Sequence, residues 1–238
     1  MIYSESKNVK QAIFAVFLNI YLQKNNLMTK HLIWNKKFLP TIIAHITSGG
    51  VLLSTTDTIL GLLAPCTQEG FDHLNVIKVR QEKPYIVLVP DYQTAKSYVA
   101  QQYHPRLEAL ADACWPGPVT CIFPVSPLIP AYMCSAQRAI GLRIPNHEGL
   151  LSLLRHTGPL FSTSANRAGD SVPSQLATVD PLVLASVAGV VLDESLSHQL
   201  STTASTILDC TEGEIHLIRQ GAFLVDEIER KAKVTIKR

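Results

Sequence analysis

The chain has 238 residues, of which 47% are hydrophobic and 17% charged, a balance that suits a globular protein and excludes a disordered one. Its formal net charge of +2 hides two basic ends and an acidic body: residues 41–225 carry ten basic against fifteen acidic side chains. A negative body excludes a general nucleic-acid surface, which draws its affinity from many phosphate-neutralising Lys and Arg side chains.

Residues 12–22 are the longest nearly continuous apolar run. Eleven residues are too few to span a bilayer, so no membrane association is expected. No small-x-small cleavage site follows to mark a signal peptide. Residues 1–27 read either as an extension ahead of a start at Met28 or as an added amphipathic helix, with residues 28–238 forming a single domain. Phe38, Leu39, Ile42, Ile43 and Ile46 recur at helical spacing, and Ser48-Gly49-Gly50 stops that helix. Strands are expected over 51–53, 85–89, 119–125, 140–144, 160–163, 189–193, 204–209 and 214–219, and helices near 71–79, 93–101, 105–113, 147–157 and 180–187. This alternation predicts an α/β fold.

Five cysteines, an odd number without C-x-x-C spacing, argue against a zinc site or a disulfide framework and suit a reducing, cytoplasmic setting. Eight dispersed histidines without i,i+4 spacing indicate no metal held by protein ligands.

Ser54-Thr55-Thr56-Asp57-Thr58 follows a buried strand, where α/β sheets meet their ligands. These hydroxyls suit a small polar ligand such as an amino acid, and equally suit turns and caps. Lys78-Val79-Arg80, followed by Lys83, places cations at a helix end. Lysine there offers phosphate a point charge and arginine a planar fork, although cations favour helix C-termini in any case. Ser162-Thr163-Ser164-Ala165-Asn166-Arg167 leads a strand into a turn able to aim N–H groups at an anion. It does not match the P-loop pattern. Arg143 interrupts an apolar strand and needs either a ligand anion or an internal carboxylate, and Arg219 raises the same question. Trp115 in W-P-G-P reads as a core anchor or a pocket wall. Six of the ten basic residues of the body lie in these segments, the distribution a polyphosphate pocket requires.

Taken in order, T-T-D-T-x-x-G-L at 55–62, K-x-R with K-P at 78–84, W-P-G-P-V-T at 115–120, L-R-I-P at 142–145, S-T-S-A-N at 162–166, S-T at 205–206 and I-R-Q-G at 218–221 resemble the YrdC-like threonylcarbamoyl-AMP synthases over roughly residues 38–222. Thr55 departs from a usual proline, Leu60 from a usual aromatic, Val79 from a small or polar residue and Glu194 from a glycine.

The resemblance implies a twisted mixed β-sheet flanked by helices around a concave cationic cavity. It implies that L-threonine, bicarbonate and ATP are joined into threonylcarbamoyl-AMP and pyrophosphate, with Mg²⁺ held by the phosphates. By the same analogy Lys78, Arg80, Ser164 and Asn166 are catalytic; Thr56, Thr120 and Ser205 face the threonine; and Ser162, Arg143 and Arg219 join the nucleotide contacts. The product would serve N6-threonylcarbamoyladenosine formation at position 37 of tRNA through a downstream tRNA threonylcarbamoyl transferase complex, with at most weak direct tRNA contact. The alternative is a non-catalytic nucleotide- or RNA-binding relative of the same fold.

Overall fold

A computed structural model of the chain describes residues 30–79, 84–193 and 203–238. The expectations for residues 1–27, Arg80, Lys83 and Glu194 lie outside these. The described residues form one eleven-stranded mixed sheet in the order β1-β8-β2-β3-β7-β4-β6-β5-β9-β10-β11. Its strands are β1 (Lys30–Ile33), β2 (Leu52–Ser54), β3 (Gly61–Pro65), β4 (Ile86–Leu88), β5 (Val119–Pro124), β6 (Ala139–Arg143), β7 (Leu160–Ser164), β8 (Gly189–Leu192), β9 (Thr206–Asp209), β10 (Ile215–Arg219) and β11 (Ile236–Lys237). The helices are α1 (Leu39–Thr47), α2 (Gln68–Lys78), α3 (Tyr92–Tyr98), α4 (His104–Cys114), α5 (Glu148–Thr157), α6 (Pro181–Ser186) and α7 (Val225–Ala232).

Successive strand residues point to opposite faces, and the two hydrophobic cores follow that alternation. Leu52, Leu63, Leu88, Leu160 and Val191 pack with Ile42 and Ile46 of α1 and Leu150, Leu153 and Leu154 of α5. Their neighbours Leu53, Leu62, Val87, Phe161 and Val190 pack on the other side with Leu74 of α2, Leu107 and Leu110 of α4, and Ile228 of α7. Helices therefore cover both faces, as the α/β reading expects.

The differences from the expected elements have local causes. β3 is absent from the expected strands, because Gly61-Leu62-Leu63-Ala64-Pro65 is almost wholly buried and lacks the alternation that announces a strand. It pairs antiparallel with β2 and β7, so the loop between β2 and β3 turns back within the sheet rather than at its edge. Helix α2 begins at Gln68 rather than near 71, because the Thr67 hydroxyl accepts a hydrogen bond from Gly70 N at 3.1 Å. The expected 93–101 helix stops at Tyr98, and Asp91 caps its start by accepting from Thr94 N at 2.7 Å.

All five cysteines are free thiols and four are buried. Burial pushes the Cys114 thiol up to about 12, which keeps it protonated and inert. No helix among the described residues is long and apolar enough to cross a membrane.

Candidate active site

Strand ends and loops from across the sheet enclose a cleft of about 240 Å³. The β2–β3 loop contributes Thr56, Asp57, Thr58 and Ile59; β7 contributes Ser162, Thr163 and Ser164; β6 contributes Arg143; the approach to β9 contributes Ala204 and Ser205; and the end of β10 contributes Arg219. Five of the expected site residues outside the β2–β3 loop (Ser162, Ser164, Ser205, Arg143 and Arg219) thus share one wall system, although they span 57 positions between Ser162 and Arg219 alone.

Lys78 and the Ser164–Asn166 turn form a single unit. Lys78 is only 3% exposed, and its ammonium donates to Ser164 O at 2.7 Å, lies 3.4 Å from Ser164 Oγ and 3.3 Å from Asn166 Oδ1, and also donates to Asn166 O. A buried ammonium must be ringed by acceptors, and the turn supplies them. The Asn166 amide nitrogen donates to Asp170 O at 2.6 Å, closing the turn. Val79, immediately after Lys78, adopts a left-handed conformation (φ 50°, ψ 46°) that ends the helix. That conformation is costly for a β-branched residue. Arg167 turns to Asp180, 3.9 Å away.

The two arginines of the cleft differ. Arg143 is 6% exposed and donates from Nε to Gly117 O at 3.0 Å, from Nη1 to Thr58 Oγ1 at 3.1 Å and from Nη2 to Asp57 Oδ1 at 2.6 Å. The partner of Arg143 is thus an internal carboxylate. Arg219 donates from Nε and Nη2 to Ser205 O at 3.1 and 2.9 Å, and pairs with no carboxylate among the described residues. Burial lowers the pKa of both; Asp57 opposes the shift at Arg143, whereas the nearby Arg143 charge adds to it at Arg219. The guanidiniums repel each other, and an anion between them would relieve that repulsion.

The S-T and I-R-Q-G motifs also interlock. Thr206 Oγ1 donates to Phe223 O at 2.6 Å and accepts from Gly221 N at 3.0 Å, while Arg219 grips the carbonyl of Ser205. A side chain at 221 would place its Cβ 2.3 Å from Ala204 O, so only glycine permits the two segments to pass.

On the other side, Thr56 Oγ1 donates to Ile59 O at 2.7 Å and accepts from Thr58 N at 3.0 Å, so its hydroxyl shapes the loop. Thr120 does not line the cleft. It lies behind Ser205, with their hydroxyls 2.9 Å apart and both side chains buried. Thr55 N donates to Val191 O at 3.0 Å, a bond closed to proline, and its hydroxyl accepts from Asp193 N at 3.0 Å. Leu60 is fully buried and serves the core. Trp115 packs against the core with its indole N–H on Val119 O at 2.7 Å, the core-anchor alternative.

Sequence reasoning did not single out Asp57 as the carboxylate for Arg143. Its signal was a lone acid within a run of hydroxyls, which also describes an ordinary turn. Among the described residues no group of three or more His, Cys, Asp or Glu side chains is placed to hold a metal ion.

The family model Sua5_yciO_yrdC, described as "Telomere recombination", matches residues 44–221. This chain belongs to the Sua5/YciO/YrdC family. Within that family it is 32% identical, over 164 residues, to the threonylcarbamoyl-AMP synthase of Xanthomonas euvesicatoria pv. vesicatoria (strain 85-10), an alignment covering 66% of this chain and 86% of that protein. Two solved family structures share the fold. P. abyssi Sua5 complexed with L-threonine superposes with a TM-score of 0.76 at 22% identity over 87% of this chain, and the match spans 62% of that longer protein. E. coli YciO superposes with a TM-score of 0.71 at 19% identity over 84% of this chain and the whole of that one.

Proposed function

We propose that this protein is an L-threonylcarbamoyladenylate synthase, joining L-threonine, bicarbonate and ATP to give threonylcarbamoyl-AMP and pyrophosphate. The observation that carries the reading is the cleft that Arg219, with no carboxylate partner among the described residues, lines together with Arg143, Ser162 and Ser164, while the Lys78 ammonium is bonded to the Ser164–Asn166 turn. Such a wall suits a polyphosphate. The 32% identity to a protein named as a synthase favours this reading over a non-catalytic relative.

The threonine amine captures bicarbonate as a carbamate, with loss of water. A carbamate oxygen then attacks the α-phosphorus of ATP, the bond to the β-phosphate bridging oxygen breaks, and pyrophosphate leaves with that electron pair. No protein nucleophile takes part. The chain's work is to hold two anions that repel each other and to neutralise the charge growing on the leaving group. Arg219, Arg143, Ser162, Ser164, Asn166 and Arg80 contact the nucleotide, and Lys78 fixes the turn that presents Ser164 and Asn166. Thr56 and Ser205 border the threonine, with Thr120 supporting Ser205.

Mg²⁺ accompanies ATP on its phosphates. Asp57, the acidic residue lining the cleft among the described residues, is engaged by Arg143 and by Asn146 N, so the described residues offer the ion no ready carboxylate there. The product is the activated donor for N6-threonylcarbamoyladenosine at position 37 of tRNA, passed to a cytoplasmic tRNA threonylcarbamoyl transferase.

Pyrophosphate release measured with each substrate omitted in turn tests the reading. Release is expected only when threonine and bicarbonate are both present. Release independent of threonine would overturn it.

A further inference from the structure

Asp57 has no substrate to hold in the reading above, yet it joins two parts of the cleft's frame. Its Oδ1 accepts from Arg143 Nη2 at 2.6 Å, and its Oδ2 accepts from the backbone N–H of Asn146 at 2.9 Å. One carboxylate therefore ties the β2–β3 loop to the junction between β6 and α5. Asp57 and Thr56 also line a second cavity of about 560 Å³, bordered by Trp34, His147 and Asp193. Thr56 and Asp57 thus stand in the partition between the two, with Arg143 on the cleft side.

The three hydrogen bonds of Arg143 set the plane of its guanidinium, and Asp57 is the anionic partner among them. A buried guanidinium with a second one nearby needs a counter-charge to keep one orientation. Thr58 and Gly117 supply neutral acceptors, which orient the group without balancing it.

We infer that Asp57 is a positioning residue: it locks Arg143 in the orientation that meets the developing phosphate charge, and acts on the reaction only through Arg143. The inference rests on the reading of the cleft as the ATP site. It separates two quantities that a general loss of structure would move together. Removing the carboxylate leaves the cleft more positive, so nucleotide binding holds or tightens. The freed guanidinium no longer sits where the transition state needs it, so turnover falls.

The test is a double-mutant cycle on pyrophosphate release. Asp57→Asn, which keeps the side chain's shape and removes its charge, is expected to lower kcat at least tenfold with KM for ATP unchanged or reduced. Asp57→Glu, which restores the charge, should recover part of that loss. In an Arg143→Ala background, Asp57→Asn should change kcat by less than about twofold, because the residue through which it acts is gone.

Equal losses in both backgrounds, or a wild-type kcat in Asp57→Asn, would overturn the inference. Should Asp57→Asn fail to fold, Asp57→Glu combined with Arg143→Lys runs the same cycle. Were the wild-type protein to release no pyrophosphate, the proposed function would fall by itself. The cycle would then be read by urea denaturation, where additive stability effects of the two substitutions overturn the Asp57–Arg143 coupling and non-additive ones support it.

Discussion

The two sides of the cleft are organised by different means. In the β2–β3 loop Thr56 bonds Thr58 N and Ile59 O, within three residues of its own position, while neutral Thr58 and anionic Asp57 share Arg143, 85 and 86 positions away. The Ser164–Asn166 turn is held by Lys78, whose ammonium arrives from 86 and 88 positions earlier in the chain. Local bonds cost little chain entropy and tolerate substitution of neighbours. A buried ammonium ringed by carbonyl and hydroxyl oxygens gathers much of the turn's geometry in one side chain, beside the Asn166–Asp170 bond and the backbone bond from Ala165 N to Leu60 O.

The contrast is broken most directly at Lys78. Lys78→Met keeps the bulk of the stem and removes the charge, leaving the Ser164 and Asn166 carbonyls without their donor. At about 1–3 kcal/mol for each of the two buried groups left unsatisfied, a stability loss of roughly 2–6 kcal/mol is expected in urea denaturation. Pyrophosphate release should fall about a hundredfold or more. A variant with near-wild-type stability would show that the turn stands without Lys78.

A smaller effect is expected on the opposite side. Thr55 follows β2 and ties it to the end of β8 through two bonds, from its own N–H to Val191 O and from Asp193 N to its hydroxyl. Thr55→Val keeps the first and loses the second, so the cost should be about 1 kcal/mol, with catalysis little changed. The measurement is the shift in denaturation midpoint at constant slope. A loss several times larger would mean that the loop depends on that one contact, as the phosphate side depends on Lys78.

The smallest change is expected to be a gain. Val79 holds a left-handed backbone conformation while 62% exposed, so its side chain contributes little packing to offset the strain. Val79→Gly relieves the clash of Cβ with the following carbonyl, worth about 1–2 kcal/mol, and gives back part of that through a freer unfolded chain. A net stabilisation of roughly 0.5–1 kcal/mol is expected by thermal denaturation. A destabilised glycine variant would show that Val79 packs against something that its exposure conceals.

Much of the fold is legible in the amino-acid sequence, because its causes are periodic and local. Ile42 and Ile46 repeat at helical spacing, and strands such as that at 119–124 carry β-forming residues between turn signals. β3 is not legible, because a strand buried on both faces has no polar phase to display. The family resemblance names Ser162, Ser164, Ser205, Arg143 and Arg219, and the fold brings all five to one cleft. The same reading places Thr120 against the ligand, whereas the structure sets it one layer back, behind Ser205. A sequence shows that a hydroxyl falls near a strand end, and not which of two hydroxyls the pleat turns inward.

The sequence by itself determined the alternation of strands and helices, the concentration of cations at strand ends, and the glycine at 221, since these follow from side-chain chemistry and short-range geometry. Only the tertiary structure decided who partners whom. It gave Arg143 to Asp57, Lys78 to the Ser164–Asn166 turn and Arg219 to the Ser205 carbonyl. Burial is the physical reason. A charge withdrawn from water must find its counterpart wherever the fold brings one near, and that distance is set by the strand order of the sheet rather than by separation along the chain.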